Sequence, residues 1–184
     1  MDCKKALSEC KGDLEQAVKL LRTKGLADVA KRASRTANEG LVDSYIHAGG
    51  KIGVMVEVNS ETDFVARNND FKAFVHDIAM HIAAAAPRYI SRDDVPQEVV
   101  DAEMAIYTEQ AKATGKPDNI LEKIATGKLN KFYSQVCLLE QPFIKDEDMK
   151  VEQTRGHVVS KSGEKIEHKP FARFDLGKVG GTHQ

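Results

Sequence analysis

Apolar residues in the first 25 positions have the spacing of two short helices. One set lies at i, i+3, i+4 and i+7 and so shares a helix face: Cys3, Ala6, Leu7 and Cys10. After a break at Gly12, Asp13 and Gln16 have the spacing of a capping box for a second helix, which we expect to end at Gly25. Two helices of this size leave most of their apolar surface in water. We therefore expect a third helix, upstream of Met1, to complete this unit.

The strongest strand pattern in the chain is a β-hairpin at residues 40–59. The segments "GLVDSYIH" and "KIGVMVEVN" flank the short glycine-rich loop "AGG", as the strands of a hairpin do. In the second segment apolar residues occupy every second position: Ile52, Val54, Val56 and Val58. This period of two predicts a strand with one buried face.

Helical patterns follow the hairpin, and strand patterns return near the end of the chain. A stripe from Phe71 to Ile82 has helical spacing, and further helices are predicted at about 94–113 and 117–132, the second with a break near Gly127. The segments "QVCLLEQPF" and "KPFARFDLG" are predicted to be closing strands. The charged segment between them, residues 145–168, is predicted to be partly mobile.

This order of helices, hairpin, helices and strands predicts an α+β fold. We expect three parts: a partial helical domain at residues 1–25, a polar and basic connector at 26–39, and a core domain at 40–184. In the core domain the hairpin belongs to a small antiparallel sheet that packs against helices.

Charge and composition narrow the classes of function. The chain has 27 Lys and Arg against 28 Asp and Glu, which argues against a protein held on nucleic acid by phosphate contacts. No apolar run approaches the roughly 20 residues that a membrane helix needs, and the N-terminus lacks the apolar core of a signal peptide. The three cysteines, without CxxC spacing, predict reduced thiols and a cytoplasmic protein.

Motifs of catalysis and of metal binding are scarce. "AGGKIGV" matches neither a P-loop nor a dinucleotide-binding fingerprint. His76 and His81 are five residues apart, which does not stack them as zinc ligands, and we expect both to face solvent. Cys137 is expected to be a buried thiol in an apolar strand. Glu61 and Asp63 form either a carboxylate pair or simply an acidic strand exit. We predict a protein that is not an enzyme and uses no cofactor or metal.

The pair Asp63-Phe64, at the exit of the second strand, has two interpretations. In one, Phe64 turns back into the core and Asp63 caps a helix that begins near Asn68. In the other, Phe64 projects as an aromatic anchor for a pocket on a partner, with the carboxylate of Asp63 beside it. The residues alone leave both open.

The segment "SETDFVARN" resembles the signature of the elongation factor Ts family, the guanine-nucleotide exchange factors of elongation factor Tu. Other segments resemble the family in the same order: "MDCKKALSECKGDLEQAVKLLRTKG", "SYIHAGGKIGVMVEVN", "DIAMHIAAAAPRYIS", "GKPDNILEKIATGKLNKF", "LLEQPFIKD" and "FARFDLG". The chain resembles the short form of the family, which has the hairpin-and-helix unit once. The stretch 151–162 is shorter and less helical than the family pattern.

The resemblance implies a partner and a set of contact residues. Thr62, Asp63, Phe64 and Val65 would enter the nucleotide-binding domain of elongation factor Tu and disturb its magnesium site, so that GDP is released and GTP reloads. No covalent step is needed.

Weaker implied contacts are Met1 and Asp2, where Met1 is equally a frayed end, and His47, which is equally an exposed turn histidine. The N-terminal helices also resemble a ubiquitin-associated (UBA) type of domain, which leaves a helical adaptor without exchange activity as the alternative function.

With one hairpin unit per chain we expect a homodimer, joined through the strand edge at Val42, Ser44 and Ile46. The alternative is a monomer whose edge is covered by "FARFDLG".

Overall fold

The computed structural model describes residues 2–115 and 117–178. These residues form helices and small antiparallel sheets, which confirms the α+β class. The helices are α1 Asp2–Glu9, α2 Leu14–Arg32, α3 Asp63–Ala66, α4 Asn69–Ala85, α5 Gln97–Lys112, α6 Asp118–Val136 and α7 Val151–Ser162. The strands are β1 Glu39–Ile46, β2 Ile52–Ser60, β3 Pro142–Phe143, β4 Asp146–Lys150, β5 Glu167–His168 and β6 Ala172–Asp175. Two short 3-10 turns lie at Arg92–Asp94 and Leu138–Glu140.

The predicted hairpin is the centre of the main sheet. β1 and β2 pair antiparallel from Glu39 opposite Ser60 to Ile46 opposite Gly53. The other side of β2 pairs with β5 near Val58 and with β6, where Gly53 lies opposite Phe174. "FARFDLG" therefore supplies a closing strand as predicted, but it pairs with β2. The alternative in which this segment covers the free edge of β1 is wrong, because β1 lies at the border of the sheet.

The core lies between one face of this sheet and α4. The alternating valines of β2 are buried, and so are the apolar side chains of the α4 stripe. The buried members of the two elements are Val54, Val56, Val58, Phe71, Phe74, Val75, Ile78, Ala79 and Ile82. Burial of each larger side chain contributes about 1.5–3 kcal/mol, so this contact holds β2 and α4 in a fixed relation.

The second helix is longer than its sequence pattern predicts. Asp13 caps it, since the backbone N–H of Gln16 donates to Asp13 Oδ1 at 3.0 Å. The helix continues through Gly25 to Arg32, so the prediction that Gly25 ends it is wrong. Gly25 is buried against Gly156 of α7, where a Cβ would lie 3.1 Å from the Gly156 carbonyl carbon. Here the missing side chain permits close packing of two helices and leaves the backbone helical. The boundary at residues 25/26 falls inside α2, and the three-part division stays a prediction.

The charged segment at 145–168 is not irregular. It contains β4, the whole of α7 and β5. Val151 and Val159 of α7 are buried, and the helix ends at Gly163, whose φ of 75° is in the left-handed region. The prediction of weak helicity over 151–162 is wrong, because a narrow apolar stripe among many charges is sufficient when another helix packs on it. Partial mobility of the segment stays a prediction.

Two further elements differ from their sequence patterns. α6 is continuous through Gly127, which lies on an exposed face where a helical glycine costs only about 1 kcal/mol relative to alanine. "QVCLLEQPF" forms the end of α6, a 3-10 turn and the short strand β3, so only its last residues are in a strand. Cys137 is buried as predicted, at the end of α6.

His81 is buried, so the prediction that it faces solvent is wrong, whereas His76 is exposed as expected. His81 Nε2 lies 2.9 Å from Gln141 Oε1, and its Nδ1 accepts from the backbone N–H of Ile144 at 3.2 Å. Burial lowers the pKa of His81, and the bond to Gln141 opposes this shift. The signal was present in the sequence, because His81 follows Ile78 by three residues and so shares the buried face of α4.

None of the helices within residues 2–115 and 117–178 is long and apolar enough to span a membrane.

Candidate functional site

The signature segment forms a tight turn between the main strand and the main helix. β2 ends at Ser60, and Thr62 is the N-cap of the four-residue helix α3. The Val65 backbone N–H donates to Thr62 Oγ1 at 3.4 Å. Asn68 then caps α4 by accepting from the Asp70 N–H at 2.7 Å. Two successive caps thus fix where the chain leaves the sheet and where it enters the helix.

Phe64 does not turn back into the core. Its relative exposure is 80%, whereas its neighbour Val65 is buried with 8% exposure. Because α3 is a single turn, neighbouring side chains point in different directions, and the buried Val65 anchors the turn while Phe64 projects from it. The interpretation in which Phe64 belongs to the core is wrong, and contact with a partner remains a prediction.

Asp63 is also exposed and does not cap α4. Its Oδ2 lies 3.0 Å from Arg67 Nη2, one helical turn later. Since both side chains are more than half exposed, this ion pair contributes little to stability and opens readily. The carboxylate of Asp63 is therefore accessible to a partner at small cost.

A small cavity lies beneath Phe64, between α3, the first turn of α4 and the last turn of α7. Its volume is about 230 Å³, and its lining includes Phe64, Phe71, Val158 and Glu164. Lys161 of α7 forms an ion pair with Asp70 of α4 at its rim. Phe64 thus forms part of the wall of an open cavity.

Glu61 and Asp63 do not form a carboxylate pair. Glu61 Oε1 accepts from the backbone N–H of Lys165 at 2.6 Å and from Arg35 Nη1 at 3.2 Å. The backbone bond from Lys165, with the nearby Arg35, lowers the pKa of Glu61. Asp63 is paired with Arg67 instead. Each acid is paired with its own cation, so the two side chains act separately.

His47 lies at the opposite end of the hairpin from the signature segment. Its backbone N–H donates to the Ile52 carbonyl at 2.9 Å, and its Nδ1 is 3.2 Å from the Tyr45 hydroxyl. The eight residue steps of β2 separate this turn from Ser60 by roughly 25 Å. A molecule that touches both His47 and Phe64 must therefore be large, of the size of a protein.

The other predicted contacts are at the N-terminus. Asp2 is the first residue of α1, and Met1 lies outside the described residues. The structure therefore brings Thr62, Asp63, Phe64 and Val65 together on one turn and leaves His47 apart from them.

The described residues include few groups that could serve in catalysis or metal binding. Burial raises the pKa of the Cys137 thiol to about 11, so it is not a nucleophile near neutral pH. Within residues 2–115 and 117–178 no three His, Cys, Asp or Glu side chains are placed to hold a metal ion. The exposed turn is suited to contact with another protein.

One residue at this turn was not identified from the sequence. The Glu164 carboxylate accepts from the backbone N–H groups of Glu61 and Thr62, at 3.0 and 3.1 Å, and from the Thr62 hydroxyl at 2.6 Å. Glu164 is more than 100 positions away in the chain, and no local pattern links it to the turn.

Comparison of the sequence with known proteins identifies the family. A sequence model of the family described as Elongation factor TS matches residues 28–178. The chain is 60% identical over 178 residues to Elongation factor Ts of Geobacter sulfurreducens, covering 97% of this chain and 82% of that protein. It is 57% identical over 182 residues to Elongation factor Ts of Koribacter versatilis, covering 99% and 83%. These similarities along nearly the whole chain show that the chain belongs to the elongation factor Ts family.

Proposed function

We propose that this chain is a guanine-nucleotide exchange factor that binds GDP-bound elongation factor Tu in the cytoplasm and promotes release of GDP, so that GTP reloads. Family membership supports the partner and the role. The observation that carries the proposal is the exposure of Phe64, 80%, on a turn that is otherwise anchored in the core. An aromatic side chain held out in this way has the character of a binding anchor.

The proposed mechanism uses Thr62, Asp63, Phe64 and Val65. In GDP-bound GTPases a magnesium ion and backbone amides hold the phosphates. Phe64 enters between side chains of the partner, and Asp63 brings negative charge beside the ligands of the ion. Thr62 and Val65 keep the turn in shape, because one caps α3 and the other is buried.

Binding of the factor and binding of the nucleotide then weaken each other by the same free energy. Each 1.4 kcal/mol of this coupling changes affinity about tenfold. Met1, Asp2 and His47 remain predicted secondary contacts with other surfaces of the partner. We expect the exchange reaction to need no cofactor or metal from this chain.

Asp63→Asn is expected to slow GDP release most when the partner is saturated with magnesium, because the carboxylate acts on the ion's surroundings. Release of a fluorescent GDP from purified elongation factor Tu is measured by stopped flow over a series of magnesium concentrations. We expect a reduction of about tenfold at high magnesium, equivalent to 1.4 kcal/mol, and a smaller effect when magnesium is chelated.

The matched control is Asp93→Asn, an exposed acid in the 3-10 turn before α5, which should behave as the unchanged chain. If Asp63→Asn and the unchanged chain release GDP at the same rate at every magnesium concentration, the proposed effect of Asp63 on the magnesium site is contradicted. No acceleration by the unchanged chain would contradict exchange itself.

A UBA-type adaptor is the second candidate. It is favoured by apolar side chains on α2 that remain exposed, Leu14 at 71% and Val18 at 46%. An adaptor would bind elongation factor Tu, or another protein, without changing the rate of GDP release. The same stopped-flow experiment therefore separates the two functions.

We further propose that two copies of the chain form a homodimer through the β1 border of the sheet. Within residues 2–115 and 117–178, β1 pairs on one side only, with β2. Val42 and Ile46 of β1 point away from α4 and are 59% and 66% exposed. An unpaired strand edge with apolar side chains is a surface that proteins normally cover.

Ile46→Asp is expected to convert the dimer to a monomer, because a charge would be buried at the two-fold interface. Sedimentation velocity at micromolar concentration should give twice the mass of one chain for the unchanged protein. Ile106→Asp, on the exposed face of α5, is the control and should stay dimeric. A stable monomer of the unchanged chain would refute the dimer.

A further inference from the structure

Hydrogen bonds hold the turn that follows α7 to the turn that carries Phe64. Glu164 Oε2 accepts from two successive backbone N–H groups, those of Glu61 and Thr62, and Glu164 Oε1 accepts from the Thr62 hydroxyl at 2.6 Å. One half-buried carboxylate thus receives three hydrogen bonds from two neighbouring residues. Such charge-assisted bonds are short and fix orientation as well as position.

A carboxylate on the Phe64 side also binds the backbone of the α7 turn. Glu61 Oε1 accepts from the backbone N–H of Lys165 at 2.6 Å, so each turn places a carboxylate on the other turn's backbone. The α7 turn is itself held, because the Gly163 carbonyl accepts from Arg32 Nε at 2.9 Å. Arg35 Nη1 contacts both Glu61 and the Gly163 carbonyl, at 3.2 and 3.4 Å.

α3 needs this support. It has four residues, fewer than a helix requires to be stable alone, and its capping bond from the Val65 N–H to Thr62 Oγ1 is long at 3.4 Å. The Thr62 hydroxyl accepts that bond while donating to Glu164, so Glu164 fixes the rotamer that caps α3. Phe64, being exposed, has few contacts of its own to hold its direction.

We propose that Glu164 is a positioning residue for nucleotide exchange: its carboxylate locks Thr62 and so keeps α3 formed and Phe64 pointed outward before the partner arrives. This inference rests on the proposed exchange function. A turn that is already ordered avoids the entropy cost of ordering at the moment of binding, which raises affinity and the fraction of productive encounters.

The test compares Glu164→Ala with Glu164→Gln. Alanine removes every acceptor, whereas the glutamine carbonyl still accepts from both backbone N–H groups and its amide donates to the Thr62 hydroxyl. We expect Glu164→Ala to lower kcat/KM for GDP release from elongation factor Tu by about tenfold or more, with the KM for GDP-bound elongation factor Tu raised. We expect Glu164→Gln to remain within about threefold of the unchanged chain. Glu109→Ala, an exposed acid of α5, is the control.

A double substitution shows whether Glu164 acts through Phe64. In the Phe64→Ala background, Glu164→Ala should cause no further loss, because the side chain being positioned is gone. Amide hydrogen exchange of the unbound variants is a second, independent measurement. Glu164→Ala should speed exchange at residues 62–66 while α4 and β2 stay protected. If Glu164→Ala does not fold, Thr62→Val, which removes the hydroxyl alone, takes its place and should show the same pattern at a smaller size.

The outcomes separate this inference from the proposed function. If Glu164→Ala has the same kcat/KM as the unchanged chain while Phe64→Ala is impaired, Glu164 is not a positioning residue. The proposed exchange function is then still supported. Additive losses in the double variant overturn the positioning role too, since Glu164 would then act independently of Phe64. If the unchanged chain does not accelerate GDP release, the proposed function fails, and the inference fails with it.

Discussion

Phe64→Ala is expected to reduce GDP release from elongation factor Tu by at least thirtyfold, equivalent to about 2 kcal/mol, and to leave the melting temperature unchanged. Phe64 is 80% exposed, so truncating it removes almost no buried surface from this chain. The apolar area of the ring is buried only if a partner encloses it. Aromatic residues in such positions contribute about 2–4 kcal/mol to binding when they are true anchors.

The measurement pairs the stopped-flow release rate with thermal unfolding of the same preparation. Phe71→Ala is the matched control, since Phe71 lies seven residues later, in α4, and is only 2% exposed. That variant should lose about 3–5 kcal/mol of stability. A Phe64→Ala protein that melts early yet still releases GDP normally would contradict the anchor role.

Gly25→Val and Gly156→Val are each expected to destabilise the protein by about 2–3 kcal/mol. The two glycines meet where α2 crosses α7, and a Cβ at Gly156 would lie 3.0 Å from the Gly25 carbonyl carbon. The obstacle is backbone, which moves only if the helices separate. Separation would uncover Val159 and break the contacts of Arg32 and Arg35 with Gly163.

Thermal unfolding should register this loss as a fall in melting temperature of about 5–10 °C for a chain of this length. Gly127→Val is the matched control, because Gly127 is in the middle of α6 with open space around it. It should be neutral or slightly stabilising, since valine has the higher helix propensity. Equal melting temperatures for Gly25→Val and Gly127→Val would show that α2 and α7 part without cost.

The hairpin and the helix behind it could be predicted from the sequence alone. The alternation along Val54, Val56 and Val58 and the stripe from Phe71 to Ile82 are local periodic patterns, and each element needs only one apolar face to be recognised. The segment "SETDFVARN" likewise indicated the family. It did not indicate whether Phe64 is buried or exposed, because one aromatic residue after a strand fits both.

Features that depend on contact between distant residues could not be predicted from the sequence. The sequence pattern predicts a helix end at Gly25, but in the structure Gly156 packs against it and the helix continues. The stretch 151–162 has too few apolar residues to predict a stable helix, yet α2 packs on it and stabilises it. Glu164 reaches Thr62 across 102 positions, and no spacing rule connects them. Periodicity records which face of an element is buried, whereas the partner that buries it, and the polar groups that the partner brings, are fixed only when the chain packs.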